Sequence, residues 1–442
     1  MKPRALVALL VAMLGCGCGT LADAGNESRG DDQLPSAGVA PWDKVDLDGD
    51  STNLVQPWVI EGASAADVLS EPTLVRQGSG VVLYYSRAGD ARSQGIWRTE
   101  ASTPEDLYHA GPGGRVLAAT LDWERGRVDG ASVVVPEAAA GSDRIRLWYQ
   151  GGDGAGIGFA VSDDGVQWSK HGPPVLVPDQ PWEQGRVASP CVTRVGDEWW
   201  LWYEGGDAAG IGFARSADGV SWRKADAAHP TGASAAEAVG PVLAPELAWE
   251  GGSTEGLAPG RVGAPGLWIH DELGQRRFGL YYSGFVPVAA NPLTSRAASD
   301  ATPGTRNRSI GFAASTDGLT FVRADPSINP VVAERTPLEL GDVPFPPQLA
   351  AALPDVILGL LRAVLGVDDA GNPRIPALET VIDEGDAAVI ADGPDRFVMV
   401  YTQANSFFVP LALELPPSPV TVPLGVLVRD ARSGIALARS RR

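Results

Sequence analysis

Carboxylates and arginines recur at matching places along this chain, and their types and spacing could do chemistry. Glu71 stands in Ser-Glu-Pro and Asp129 in Val-Asp-Gly, each opening a short β-rich run; Glu384 and Asp386 open another. Arg186 and Arg261 precede two more such runs, and Asp153 and Asp207 follow matching Gly-Gly pairs. Two carboxyl groups held close together can divide the roles of proton donor and base, because each makes the other harder to ionise. Arginines among them work the other way and hold the carboxylates ionised, which suits binding alone. No metal is expected: His109, His171, His229 and His270 share no ligand spacing. No cofactor is expected either, since the Gly-Gly-Asp runs open no helix that could cradle a phosphate. Cys191 lies within a strand with no histidine beside it in sequence, and reads as a structural thiol.

The elements that must position these residues are given by a repeat. Leu147 to Trp168 (LWYQGGDGAGIGFAVSDDGVQW) returns without a gap as Leu201 to Trp222 (LWYEGGDAAGIGFARSADGVSW). A third copy is split by an insertion, with Leu280 to Gly284 as its first part and Ile310 to Phe321 as its second. In the second copy, Cys191–Val195 and Trp199–Tyr203 flank the turn Gly196-Asp197 as the two arms of a hairpin. Ile211–Ala214 is a third strand, Asp218-Gly219 a tight turn, and Val220–Arg223 a fourth strand. Four antiparallel strands repeated around a ring make an all-β, five-bladed β-propeller. The five blades fall at about 71–108, 129–168, 187–222, 262–321 and 385–438 of a domain spanning 55–442. An insertion at 335–380 separates blades four and five, and Pro354 to Leu365 within it has helical spacing: Val356, Ile357, Leu360, Leu361, Val364 and Leu365 form an apolar stripe for packing on the propeller. In a four-stranded meander the strand-one starts and the loops between strands two and three share a face. Glu71, Asp129, Arg186, Arg261 and Asp386 should therefore meet at one mouth of the central channel, ringed by Asp153 and Asp207. The segments Phe285 to Arg308 and Asn405 to Leu424 should rise over it as walls.

The amino terminus is a targeting signal. Lys2 and Arg4 precede the apolar run Ala5 to Leu14, too short to span a bilayer as a helix, so residues 1–15 read as a signal peptide. Met13-Leu-Gly-Cys16 resembles a bacterial lipobox, which implies a lipidated Cys16 and a membrane-anchored lipoprotein of the periplasm or cell surface. Residues 16–54 read as a tether, with Asp46-Leu-Asp-Gly-Asp50 a solvated acidic linker rather than a calcium loop. The formal net charge of −19 excludes nucleic acid as a partner and leaves the lipid anchor as the only membrane contact. Three cysteines, two of them at Cys16 and Cys18, supply no disulfide framework, and the chain is expected to be a monomer.

Units of the form Tyr-Tyr/Trp-Tyr-x-Gly, Ile-Gly-Phe-Ala and Ser-x-Asp-Gly-x-x-Trp resemble the five-bladed propellers of glycoside hydrolases over about residues 70 to 440. The nearest are the family 43 arabinanase and xylosidase group and its invertase, levansucrase and mannoside-phosphorylase relatives. The resemblance implies a carbohydrate partner, and either a glycosidase or a non-catalytic propeller that binds a glycan or protein. In that family a base, a modulating Asp and an acid Glu open the first three blades. Glu71 matches the first position and Asp129 the second, but blade three reads Arg186-Val-Ala-Ser-Pro190, with Ala188 or Ser189 where the acid should stand. Asp386 or Glu384 could replace it. Glu71, Asp129 and Asp386 are thus the expected catalytic groups, with Arg186, Arg261, Asp153, Asp207, Trp182 and Glu384 as substrate contacts. In an inverting hydrolase the two carboxyl groups stand about 6.5–9.5 Å apart to admit water. Trp123, Trp182 and Trp249 could stack on sugar rings or pack between blades. Ser162 to Trp168 resembles a sialidase Asp box but is one residue shorter, which suits a structural turn.

Overall fold

The computed structural model describes residues 42–45, 58–62, 67–136, 144–234, 237–250, 260–272, 275–286, 307–332, 338–343, 354–365, 367, 371–372, 375–392, 396–415, 420–427 and 432–440. The signal peptide, Cys16 and Asp46 to Asp50 lie outside the described residues. Five antiparallel sheets form the five blades of a propeller. Their first strands, Val68–Gln77, Val128–Val134, Val187–Val195, Arg261–Glu272 and Ile375–Ala391, lie side by side around the axis.

Blades one to four are simple meanders, as the repeat dictates. Blade five differs from the sequence expectation. Its inner strand pairs with Phe397–Leu415, which pairs in turn with Arg432–Ser440. The outer strand is Trp42–Lys44, drawn from the segment that composition assigns to the tether. Strand Val420–Leu427 pairs with the Phe408 to Leu415 extension of its neighbour, and so stands outside the main strand order of the blade. The amino-terminal segment therefore completes the last blade and closes the ring. Such closure leaves no long sheet edge open.

Among the described residues, five buried apolar clusters occupy the five interfaces between blades. The repeat motifs explain how neighbouring blades grip. In Ser162-Asp-Asp-Gly165, the Asp164 carboxylate accepts the N–H groups of Val166 and Gln167, and Ser162 Oγ accepts that of Gly165. Asp218 and Asp317 build the same turn. The carbonyl this turn presents is taken by the preceding blade: Tyr84 donates to Gly165, and the Trp148 and Trp202 indoles donate to Gly219 and Gly318. The Asp-box-like sequence is a docking turn between blades.

Between blades four and five, a helix spans Asp355–Leu365. Leu358 is buried, whereas Val356, assigned to the packing stripe, is exposed. The side chains of Ile357, Leu360, Leu361, Val364 and Leu365 lie outside the described set.

Candidate active site

The same irregularity appears in every first strand. A β-bulge interrupts pairing after Ser70, Asp129, Ala188, Gly263 and Gly385. The residue that follows is left-handed in each blade: Glu71 (φ 51°), Gly130 (φ 56°), Ser189 (φ 44°), Ala264 (φ 47°) and Asp386 (φ 54°). For residues with a Cβ this conformation costs of order 1–3 kcal/mol, and it persists where the surroundings impose it. What imposes it is a ring of hydrogen bonds. Each bulge N–H is donated to a second-strand side chain of the preceding blade: Gly130 to Ser86 (2.7 Å), Ser189 to Gln150 (3.4 Å), Ala264 to Glu204 (3.1 Å), Asp386 to Ser283 (2.9 Å) and Glu71 to Thr402 (3.2 Å). The ring aims the bulge side chains at the axis.

Glu71 is the group this geometry singles out. Its Oε1 accepts from Ser189 Oγ at 2.8 Å and its Oε2 from Ser86 Oγ at 3.2 Å. A Cβ placed on Gly130 would sit 3.0 Å from its carboxylate, so Gly130 is the small residue that leaves room for it. Burial, then the charges of Asp129 and Asp386, push the Glu71 carboxyl up to about 7; the Ser189 hydrogen bond opposes this, and the Glu204 charge adds to it. The hydrogen bonds described for the Glu71 carboxylate come from serine hydroxyls, and the Arg127 guanidinium acts on it only through its field.

The other acids each have one. Asp386 accepts from Arg308 at 2.6 Å and from Thr402 at 2.9 Å. Asp129 accepts from Arg127 at 2.5 Å and from Gln94 at 3.3 Å; burial raises its pKa and Arg127 opposes that. Arg186 donates to Glu204 at 3.3 Å, Arg127 also reaches Asp153 at 3.0 Å, and Arg261 pairs with Asp207 at 2.9 Å. Asp129 and Asp386 thus lie close enough to Glu71 to act on its charge, while Arg186 pairs with Glu204, Arg261 with Asp207 and Asp153 with Arg127.

Two expected contacts are corrected. Glu384 is fully buried and is held by Lys44 and by Gln403 Nε2, so it cannot touch a ligand. Its equivalents in the other blades, Leu69, Val128, Val187 and Val262, are core residues. Trp182 stacks on Tyr203 (ring centroids 6.1 Å, 27° between planes), and its indole donates to the Val239 carbonyl. A Cβ on Gly205 would fall 2.2 Å from its ring. Trp123 and Trp249 repeat the arrangement on Tyr149 and Tyr282. Beside each lies a buried glutamate, Glu124, Glu183 or Glu250, accepting a tyrosine hydroxyl and paired with Lys170, Lys224 or Arg323. The Trp-Glu lead-ins fasten each connection between blades to the blade that it opens. Trp182→Ala should therefore lower unfolding free energy by about 3 kcal/mol while leaving glycan affinity unchanged, as chemical denaturation and calorimetric titration on one preparation would read.

Glu204, Arg127 and Arg308 were not singled out by the sequence. Glu204 revises the view that blade three brings no acid: the carboxylate comes from its second strand, where other blades have Ser86, Gln150, Ser283 and Thr402. The alignment of the two long repeat copies sets it against Gln150, and Arg127 shares the lead-in of Arg186. Cys191 packs between blades three and four, where burial pushes its thiol up to about 11. Among the described residues no cluster of metal-ligating side chains occurs.

No family model matches the chain, and no curated protein matches it. Solved structures that it resembles are glycoside hydrolase propellers. One, described in a study of mannoside phosphorylases and hydrolases that target β-1,2 mannosidic linkages in Candida mannan, is 11% identical, with 91% of this chain and 95% of that one covered at a TM-score of 0.47. A thermostable family-43 glycoside hydrolase is 12% identical over 85% of this chain and 96% of its own, at 0.44. The Cellvibrio cellulosa α-L-arabinanase complexed with arabinohexaose is 10% identical over 81% and 96%, at 0.42. These likenesses concern the backbone trace; the fold itself stands on the strand order above.

Proposed function

We propose that this chain is an exported, lipid-anchored, monomeric propeller that acts on a glycosidic bond at the cell surface or in the periplasm, with Glu71 as proton donor. One observation carries the reading: a half-buried carboxyl on the propeller axis, raised to about 7 by burial and by Asp129 and Asp386, with hydroxyls rather than a cation on its oxygens. A group poised there stays protonated near neutrality and can give its proton to a leaving oxygen. Asp129, Asp386 and Glu204, each beside an arginine, are the carboxyl groups placed to activate water or stabilise positive charge in the sugar ring. The test is a panel of aryl glycosides and plant or bacterial polysaccharides on wild type, Glu71→Gln and Asp129→Asn. Turnover that disappears in both variants supports the reading; wild-type protein that turns over no member of the panel sinks it.

A second reading, a propeller that binds glycan or protein without catalysis, is favoured by the arginine paired with each of Asp129, Asp386 and Glu204. It expects sugar binding in wild type and in Glu71→Gln alike.

The anchor has its own test. In a Gram-negative host the full chain should fractionate with membranes, and Cys16→Ala should release it or block its processing. Equal partitioning of the two forms, with cleavage elsewhere, rules out lipidation.

A further inference from the structure

The amino-terminal strand has a direction, and that direction relates the site to the anchor. Trp42 pairs with Ser440 and Lys44 with Ala438, and Val45 N–H donates to the Leu437 carbonyl. Further along the chain, Ile60 pairs with Ile435 and Glu61 with Gly434. Gly434 lies opposite Gln403, beside the Thr402 hydroxyl that holds the Glu71 N–H at the channel mouth. Ser440 lies one residue beyond the Arg439–Val398 pair, at the other end of the blade. The polypeptide therefore enters blade five from the face opposite the mouth and runs toward the mouth.

The mouth side of the same blade carries an extension. Beyond Thr402, the second strand continues to Leu415 and pairs there with Val420–Leu427, while the first strand begins at Ile375, where it pairs with Leu338–Val343. Thirteen residues of strand rise at most about 40 Å at 3.3 Å each, and the blade from Phe397 to Thr402 adds about 20 Å more. With the mouth against a membrane, the chain before Trp42 would have to climb past both, about 60 Å in all. The roughly 26 residues from Cys16 to Pro41, as a coil, have a root-mean-square span of about 28 Å. That arrangement stretches such a coil to about twice its rest length and squeezes the extension between body and bilayer. With the opposite face toward the membrane, neither cost arises.

We infer that the channel mouth faces away from the membrane that holds the anchor, so that its site receives glycans from the solvent side rather than the lipid-linked sugars of that same membrane. The inference rests on the proposed lipidation of Cys16. It deepens the functional reading by naming which glycans can reach Glu71.

The experiment uses the full lipidated chain reconstituted into vesicles whose headgroups carry a collisional quencher. One fluorophore goes on Ser79→Cys, in the exposed turn at the far end of the blade-one hairpin; another goes on Arg92→Cys, in the exposed loop at the mouth. Signal from the parent chain, treated with the same dye, is subtracted. The Ser79 label should be quenched at least threefold more than the Arg92 label. Equal quenching, or stronger quenching at Arg92, in a chain that is anchored overturns the inference and leaves the anchor intact. A chain whose vesicle association survives Cys16→Ala refutes the anchor, and the inference falls with it.

Discussion

Wild-type protein should be more stable at pH 5.5 than at pH 8, and Glu71→Gln should remove most of that difference. The Glu71 carboxyl is raised from 4.5 to about 7 in the folded chain, chiefly by burial and then by Asp129 and Asp386. Between those values the folded protein holds a proton that the unfolded chain has released, so stability falls as pH rises through the window. The contribution is fully present below about 4.5 and gone above about 7. A shift of that size corresponds to at most about 3 kcal/mol. Channel water reaching a half-buried group lowers the figure to about 2 kcal/mol. Glutamine keeps one acceptor oxygen and puts a donor in the other position, as the protonated acid does, so that one serine hydroxyl must accept instead of donate; it cannot ionise, so the variant should gain stability at pH 8. Urea titrations of both proteins at the two pH values read this directly; a pH dependence unchanged in Glu71→Gln would refute the buried, proton-holding site. If Glu71 is the proton donor, the same substitution should cut turnover by about 10²–10⁴-fold, and the wild-type rate should fall above about pH 7 as the proton is lost. Gain of stability with loss of rate is the pattern expected of a site strained for function.

Lys44→Met should lower unfolding free energy by about 3–5 kcal/mol, because it strands the fully buried Glu384 carboxylate without its cation. Few single substitutions in this chain should cost more, and the reason is topological. Lys44 sits on the amino-terminal strand that completes blade five, so the ion pair ties the Trp42–Lys44 strand to the core of the last blade. The rescue is specific. In the other blades the position of Glu384 is Leu69, Val128, Val187 or Val262, all buried. Lys44→Met combined with Glu384→Leu should recover most of the loss, since apolar replacement of a whole buried pair is often neutral or better. A double variant as unstable as the single one would show that the Trp42–Lys44 strand holds through its packing instead. Trp42 edge-on to Tyr281 is the contact that would then carry it.

The second prediction also shows where sequence reasoning fails. From sequence, Glu384 and Asp386 are two acids at the start of one strand, equally fit to face the channel. The bulge after Gly385 decides between them. An extra residue there breaks the simple alternation of faces, sending Asp386 toward the axis and leaving Glu384 in the core. Nothing in the local sequence announces the bulge, because Glu71, Ser189, Ala264 and Asp386 take its left-handed position with ordinary side chains, and Gly130 alone is a glycine there. Glu204 was overlooked for a related reason: it lies on a second strand, one blade away from the N–H it accepts, and sequence spacing does not report a neighbour across a blade interface.

What the sequence determined by itself is the repeat and everything local to it. The hairpin turns, the Ser-x-Asp-Gly docking turns and the four-stranded unit follow from alternating apolar residues and turn chemistry within about fifty residues of chain. The gathering of Glu71, Asp129 and Asp386 at one mouth follows from stacking such units in a ring. Only the tertiary structure decided which acids received an arginine hydrogen bond, which accepts from serine hydroxyls instead, where the Trp182 ring stacks, and that Trp42–Lys44 would finish blade five. Apart from the Arg127–Asp129 pair, which is local, these depend on contacts between residues from about twenty to nearly four hundred positions apart, made by ion pairs, backbone hydrogen bonds and burial that any strand of suitable composition could satisfy. The chain's topology, not its local pattern, selects the partner.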